Sequence, residues 1–213
     1  MSDLLRRKEC QQALEKGLSA LGLPCSPLQL QQLLDYLALL YKWNQRMNLT
    51  AIREPLKMVS HHLLDSLTIL EYLHGTRILD VGTGAGLPGI PLSIFRPEQQ
   101  FTLLDSSQKK QIFVSQVVKL LSLKNVNCVH SLVEQYQVEE KFSTILCRAF
   151  APAPAMVQLC AHLLATNGCI LVMMGKIPQE QLLLPTPYHV ARIVSLRLPG
   201  EDDQRHVAII TKG

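Results

Sequence analysis

Aromatic side chains are scarce in this sequence: tryptophan occurs once, and phenylalanine, tyrosine and tryptophan together make up 5% of 213 residues. That scarcity argues against a stacking platform for single-stranded nucleic acid, which needs rings in series. Charge of either sign is nearly balanced, with 21 basic and 17 acidic side chains giving +4. Such an excess permits an anionic partner without requiring one. There is no Cys-x-x-Cys pair. Cys10, Cys25, Cys128, Cys147, Cys160 and Cys169 are scattered, several inside apolar runs, which is the usage of reduced, buried thiols rather than of disulfides or a zinc site. No uncharged apolar stretch reaches membrane-spanning length. Asp3, Arg6, Arg7, Lys8 and Glu9 stand where a signal peptide would carry its apolar segment. These absences point to a cytoplasmic protein with no membrane partner.

What is present is a folded chain: 47% hydrophobic and 18% charged residues rule out disorder, and the length suits one α/β domain with an extension. Residues 1–75 read as helix, an extension packed on the core. Leu4, Leu5, Ala13, Leu14 and Leu18 mark a first helix ending near Gly22. Ser26-Pro27 offers an N-cap followed by proline at the first helical position. Leu30, Leu33, Leu34, Leu37, Leu40 and Tyr41 then recur at helical spacing. Asn48-Leu49-Thr50 interrupts the pattern, and a third helix is expected from 55 to about 73.

Over 76–213 short apolar runs alternate with helical segments. Strands are expected at 77–81, 101–104, 126–130, 144–147 and 169–174, with helices at 88–95, 109–121 and 154–164. This βαβ alternation implies a doubly wound, mostly parallel, Rossmann-like sheet covered on both faces. Runs at 189–198 and 206–211, joined by a polar turn, add an antiparallel hairpin at its C-terminal edge.

The chemistry concentrates where the first strand ends, in Asp80-Val81-Gly82-Thr83-Gly84-Ala85-Gly86. Three close glycines permit φ > 0 and let a ligand approach the backbone without meeting a Cβ. The helix that follows would turn its free N–H groups toward that ligand. Because Gly84-Ala85-Gly86-Leu87-Pro88-Gly89 also satisfies G-x-G-x-x-G, a nicotinamide- or flavin-dependent oxidoreductase stays open. Asp80 favours S-adenosyl-L-methionine, since a carboxylate there repels a pyrophosphate but stabilises the ammonium of a methionine moiety. Asp105, ending the second strand, is placed for a ribose diol. That position supports an adenosine cofactor without choosing between the two, and a helix N-cap with Ser106 is the alternative role. Val133 and Glu134 follow the third strand, beside the expected adenine, although from the residues alone Glu134 reads more readily as a surface carboxylate. No Gly-Lys-Ser/Thr follows the glycines, so this is not a P-loop. His61, His62 and Asp65 lack a third ligand at zinc spacing and read as structural or capping residues; no metal is expected.

Beyond the loop, the chain resembles the bacterial small-subunit rRNA guanine-N7 methyltransferases (the RsmG family, also called glucose-inhibited division protein B). The resemblance rests on Lys42-Trp43-Asn44, Asn48-Leu49-Thr50, His62-Leu63-Leu64-Asp65-Ser66, the glycine motif extended through Leu87-Pro88-Gly89-Ile90-Pro91, Leu104-Asp105-Ser106, Arg148-Ala149-Phe150 and Arg205-His206. It implies a class I S-adenosylmethionine-dependent enzyme that methylates N7 of one guanine in 16S rRNA, within the small ribosomal subunit, and we expect a monomer. It implies that Gly82, Leu87, Val133, Glu134 and Arg148 border the cofactor, joining Asp80, Gly84, Gly86 and Asp105. Arg148 is the expected catalytic residue, its planar donors matching the N7 and O6 acceptors of guanine. Two departures stand out. His61-His62 replaces the family's Arg-His, and Met174-Gly175-Lys176 stands where the family carries Lys-Gly, which puts substrate contacts there in question. A non-catalytic rRNA-binding assembly factor is the remaining alternative.

Overall fold

The computed structural model describes residues 3–149, 151–177 and 183–213, with side chains from Arg6 onward. Phe150, part of the Arg-Ala-Phe segment, lies outside the described residues, as do the side chains of Leu4 and Leu5.

Two long helices open the chain, α1 (Asp3–Ala20) and α2 (Pro27–Met47). Ser26 caps α2 as its sequence suggests. Its hydroxyl accepts the Gln29 N–H at 3.2 Å while the Gln29 side chain accepts the Ser26 N–H at 2.9 Å, a reciprocal pair that satisfies two otherwise orphaned donors. The helix ends where Asn48 takes a left-handed conformation, φ 48°, tolerated because its short polar side chain bonds locally.

The third helical segment differs from expectation. It runs through α3 (Pro55–Met58), a π-helical turn at Val59–Leu64 and α4 (Asp65–Leu67), and only a short 3-10 turn, Leu70–Tyr72, follows. The apolar spacing of this segment fits an α-helix as well as a π-turn, so the sequence pattern alone does not reveal the wider turn. From this turn and the residue after it, His61 reaches Asp203, His62 reaches Arg148, and Asp65 reaches both Arg148 and Arg205.

Seven strands form one sheet: β1 (Arg77–Val81), β2 (Gln100–Asp105), β3 (Val126–His130), β4 (Phe142–Arg148), β5 (Leu164–Met174), β6 (Tyr188–Leu196) and β7 (Arg205–Lys212), in the order β3-β2-β1-β4-β5-β7-β6. The first five are parallel; β7 is antiparallel to both β5 and β6. The closing hairpin is therefore present, with its second strand inserted inside its first. β5 begins five residues before the expected 169, because Leu164 pairs with Phe142 ahead of a register shift. The polar stretch Ala165-Thr166-Asn167-Gly168 disguises that start as a turn. The helices α5 (Gly89–Phe95), α6 (Gln108–Leu120) and α7 (Ala153–Cys160) complete the crossovers.

Alternation along each strand feeds two apolar layers. Ile78, Phe101, Leu103 and Leu146 point to one, with Leu14, Leu33, Leu40, Leu63 and Phe113. Leu79, Val81, Ile145 and Ile170 point to the other, with Met156, Val157 and Cys160 of α7. Helices α1 and α2 thus share a core with α5 and α6, and each fully buried leucine there contributes about 1.5–3 kcal/mol. Strand order reverses between β1 and β4, and open α/β sheets bind ligands outside the carboxyl ends of their strands at such a point.

Candidate active site

The glycine loop sits at that reversal, and its glycines do different work. Gly82, Gly84 and Gly86 have φ of 66°, 60° and 90°. A Cβ on Gly86 would run into Ile90, and one on Gly89 into Leu103 and Asp80, so both are packing glycines. A Cβ on Gly84 would approach nothing closer than the Gly82 carbonyl at 3.8 Å; this is the open side of the loop, where a ligand can lie against backbone. The rest is tied down from behind. Gly82 and Thr83 donate to the Leu104 carbonyl at 2.9 and 3.0 Å, and Gly86 and Leu87 donate to that of Thr83, both at 2.9 Å.

Asp80 anchors the same turn. Its Oδ2 accepts the Thr83 hydroxyl at 2.7 Å and the Gly89 N–H at 2.9 Å. Its Oδ1 is buried and has no hydrogen-bond partner among the described residues. Burial pushes this carboxyl up to about 6, against the lowering effects of Thr83, Gly89 and the Arg148 charge. An unpaired buried carboxylate oxygen costs free energy, and its place beside the open loop fits the ammonium of a methionine moiety.

Asp105 faces the loop from β2, 5% exposed. Its Oδ2 accepts Gly84 N–H at 2.8 Å and its Oδ1 accepts Ser107 N–H at 2.8 Å. Each oxygen retains a lone pair for a ribose hydroxyl. The cap of α6 is Ser107, not Ser106: the Ser107 side chain accepts from Lys110 N–H. After β3, a 3-10 turn at Val133–Gln135 buries Val133 and leaves Glu134 exposed. Leu87, 8% exposed, precedes Pro88 through a cis peptide bond.

Next to this loop, across β4 and β5, lies a cavity of about 590 Å³ lined by Asp65, Arg148, Lys176, Arg205 and His206 among others. Arg148, the last residue of β4, donates to Asp65 Oδ2 at 2.9 Å, and Arg205 Nε donates to Asp65 Oδ1 at 3.1 Å. One carboxylate, 5% exposed, therefore holds two guanidinium groups from strands far apart in sequence. His62 supports Arg148 from the other side, with Nδ1 3.1 Å from its NH2. The His61 carbonyl also lies 3.1 Å from Nδ1. Nε2, on the opposite edge of the ring, lies 2.8 Å from the Thr50 hydroxyl. Burial, then the Arg148 charge, lowers His62 to about 4; it stays neutral. Asn44 in turn accepts Thr50 N–H at 2.9 Å and donates to the Ile52 carbonyl at 3.1 Å. The residues after Arg148 turn sharply, Ala149 having φ 52°. Backbone held there costs about 1–3 kcal/mol and is concentrated at functional sites.

The residues expected at the site thus fall in two groups, Asp80–Leu87 with Asp105 in front of β1, and Arg148 at the cavity. Val133 and Glu134 belong to neither network. His61, His62 and Asp65 are structural, in that they hold arginines and a loop. Among the described residues no group of three or more His, Cys, Asp or Glu could hold a metal ion. Sequence reasoning missed Thr83, Tyr36 and the part played by Arg205. Thr83 was discoverable from its place between two loop glycines. Tyr36, whose hydroxyl donates to the Ala85 carbonyl at 2.9 Å, looked like any other apolar-face residue.

Sheet order, switch-point loop and the two strand-end carboxylates define a class I, Rossmann-like methyltransferase fold. Solved structures agree: an S-adenosylmethionine-dependent methyltransferase from Aquifex aeolicus matches with TM-score 0.56 and 17% identity over 72% of this chain and 92% of that one. One from Thiobacillus denitrificans, in complex with S-adenosyl-L-homocysteine, matches with TM-score 0.50 and 16% identity over 70% and 90%. A family model described as rRNA small subunit methyltransferase G matches residues 29–207. Ribosomal RNA small subunit methyltransferase G of Nitrosococcus oceani is 48% identical over 195 residues, 91% of each chain. Its Escherichia coli O1:K1 counterpart is 44% identical over 190 residues, 89% of this chain and 92% of the relative. The chain belongs to the rRNA small subunit methyltransferase G family. It is an rRNA methyltransferase, and neither the oxidoreductase nor the non-catalytic reading finds support.

Proposed function

We propose that the protein transfers a methyl group from S-adenosyl-L-methionine to N7 of one guanine in 16S rRNA, acting as a monomer in the cytoplasm on the small ribosomal subunit. The observation that carries this reading is that the open Gly84 loop, flanked by Asp80 and Asp105, follows β1 while the arginine-lined cavity lies at the end of β4, the strand paired with it. No helix among the described residues is long and apolar enough to cross a membrane.

The bound cofactor supplies an electrophilic methyl on a sulfonium. In this arrangement Asp80 Oδ1 would hold the amino-acid ammonium, directly or through water, and Asp105 would hold the ribose hydroxyls. Gly84 would supply the close backbone, with Gly82, Gly86 and Leu87 shaping the loop around it, and Val133 and Glu134, after β3, would flank the adenine. The N7 lone pair lies in the ring plane and needs no prior loss of a proton, so no general base is required. Catalysis rests on orientation, worth up to roughly 7–11 kcal/mol in favourable cases. Arg148 would be the residue that meets the base, its free donors matching O6 and leaving the N7 lone pair available for methylation. The target base must leave its stack to enter the cavity. Lys176, exposed at the cavity rim, is positioned to meet a phosphate.

Mass-spectrometric mapping of 7-methylguanosine in 16S rRNA, with and without the protein, tests the reading directly; an unchanged map ends it. Replacing Gly84 with valine should abolish S-adenosylhomocysteine binding while costing roughly 1–2 kcal/mol of backbone strain, since the added side chain enters ligand space rather than packed protein. Retention of wild-type affinity would place the cofactor elsewhere.

The helical extension, residues 1–75, is the proposed RNA-facing part. Lys42, Arg46, Arg53 and Lys57 are exposed along the end of α2 and the start of α3, and Lys109 and Lys110 lie at the start of α6, beside Asp105. Reversing Arg46 and Arg53 to glutamate should weaken rRNA binding and flatten its salt dependence by about one unit of slope per lost phosphate contact. Unaltered binding and slope would move the RNA face to another surface.

A further inference from the structure

Helix α2 reaches the cofactor loop from behind. Tyr36 is fully buried, and its hydroxyl donates to the Ala85 carbonyl at 2.9 Å. Burial drives the phenol far above its ordinary range, so it remains a donor at every working pH. Ala85 lies between Gly84 and Gly86, both at positive φ. Peptide planes flanked by glycines rotate at little steric cost, and nothing in Ala85's own side chain holds this one. The Ala85–Gly86 peptide is instead fixed at both ends, its carbonyl by Tyr36 and its N–H by the Thr83 carbonyl at 2.9 Å.

We propose that Tyr36, a residue of the helical extension, is a positioning residue for cofactor binding: its hydroxyl fixes the Ala85 carbonyl and thereby keeps the glycine loop in its binding conformation before the ligand arrives. This rests on the cofactor assignment made above. Without the hydroxyl the carbonyl is buried and unsatisfied, the fixed conformer is no longer favoured, and other loop conformers share the free state. Apparent affinity falls by the fraction of molecules still competent. The helical extension is then part of the cofactor site as well as a surface for RNA.

Tyr36→Phe removes one oxygen and keeps the ring. S-adenosylhomocysteine affinity, measured by calorimetry, should weaken roughly tenfold, the equivalent of about 1.4 kcal/mol, within the range for a buried acceptor left unpaired. Gln32→Ala is the control. It deletes another bond from α2 to the core, Gln32 Nε2 to the Leu121 carbonyl at 3.0 Å, remote from the loop, and should leave affinity unchanged while lowering the melting temperature. Equal losses in both variants, or wild-type affinity in Tyr36→Phe, overturn the proposal; failure of the wild-type protein to bind sinks the cofactor assignment itself. Should Tyr36→Phe not fold, amide exchange in the ligand-free wild type decides. The Gly86 and Leu87 amides must be as slow as those of α2, and fast exchange there refutes a loop held in advance.

Discussion

Replacing Asp65 with alanine is expected to cost about 3–5 kcal/mol of stability, the range for removing one partner from a buried ion pair, and to reduce methyl transfer by more than about a hundredfold. The carboxylate holds Arg148 at 2.9 Å and Arg205 at 3.1 Å, and these side chains are only 19% and 23% exposed. Alanine leaves two cations facing each other with no anion between them, since Asp203, the other acid on Arg205, is half exposed at its far side. Asparagine keeps one acceptor and should fall between. The comparison that isolates burial is Asp35→Ala. Asp35 pairs with Arg7 at 2.8 Å, but the two side chains are 39% and 41% exposed, and such pairs contribute about 0–1 kcal/mol. Urea unfolding of the three variants gives the ranking. If Asp65→Ala unfolds within about 1 kcal/mol of wild type, the clamp is not what holds Arg148, and the case for a preset arginine at the cavity fails with it.

The parts of this site differ in how far the sequence discloses them. Asp80, Gly82, Gly84 and Gly86 are legible because strand, turn and helix follow one another within a few residues, and local rules govern each. Asp105 is legible for the same reason, one βα unit later. The pairing of Asp65 with Arg205 joins residues 140 positions apart, and no periodicity links them. It depends on β7 being inserted beside β5, an order that the two edge runs leave undecided because either could have paired there. It depends equally on the π-turn, which carries His62 and leads into Asp65 without altering the apolar spacing that marks the segment as helical. Tyr36 was hidden differently. Its neighbours Leu33, Leu37 and Leu40 make it one more member of a buried stripe, and only a carbonyl 49 residues away gives its hydroxyl a purpose. Local chemistry was readable, whereas long-range polar pairing became visible only with the topology. The family resemblance supplied His62, Asp65 and Arg205 as a pattern without saying that they meet.

The second large effect is a pH dependence centred on Asp80. Its ordinary value of 3.8 is raised to about 6 in the folded protein, chiefly by burial. Between those values the unfolded chain carries an ionised Asp80 while the folded protein keeps the proton. Ligand-free stability therefore falls as pH rises from about 4 to 6, and is level with respect to this group above 6. About two units at roughly 1.36 kcal/mol each amount to ~3 kcal/mol. Asp80→Asn abolishes that term: it should be relatively more stable than wild type at pH 7.5 than at pH 4.5, by most of that amount, in paired thermal or urea melts. Ligand binding runs the opposite way. The ionised carboxylate is the form that holds an ammonium, so wild-type S-adenosylhomocysteine affinity should rise about tenfold per pH unit below 6 and then level, with uptake of the ligand releasing up to one proton. Asp80→Asn should bind weakly with no such slope. On the proposed reading, the unpaired Oδ1 lowers the stability of the empty protein and is the oxygen left free for the cofactor's ammonium. A flat wild-type profile between pH 4.5 and 7.5, in both melts and calorimetry, would show that Asp80 is ionised throughout and that its second oxygen is satisfied without the ligand.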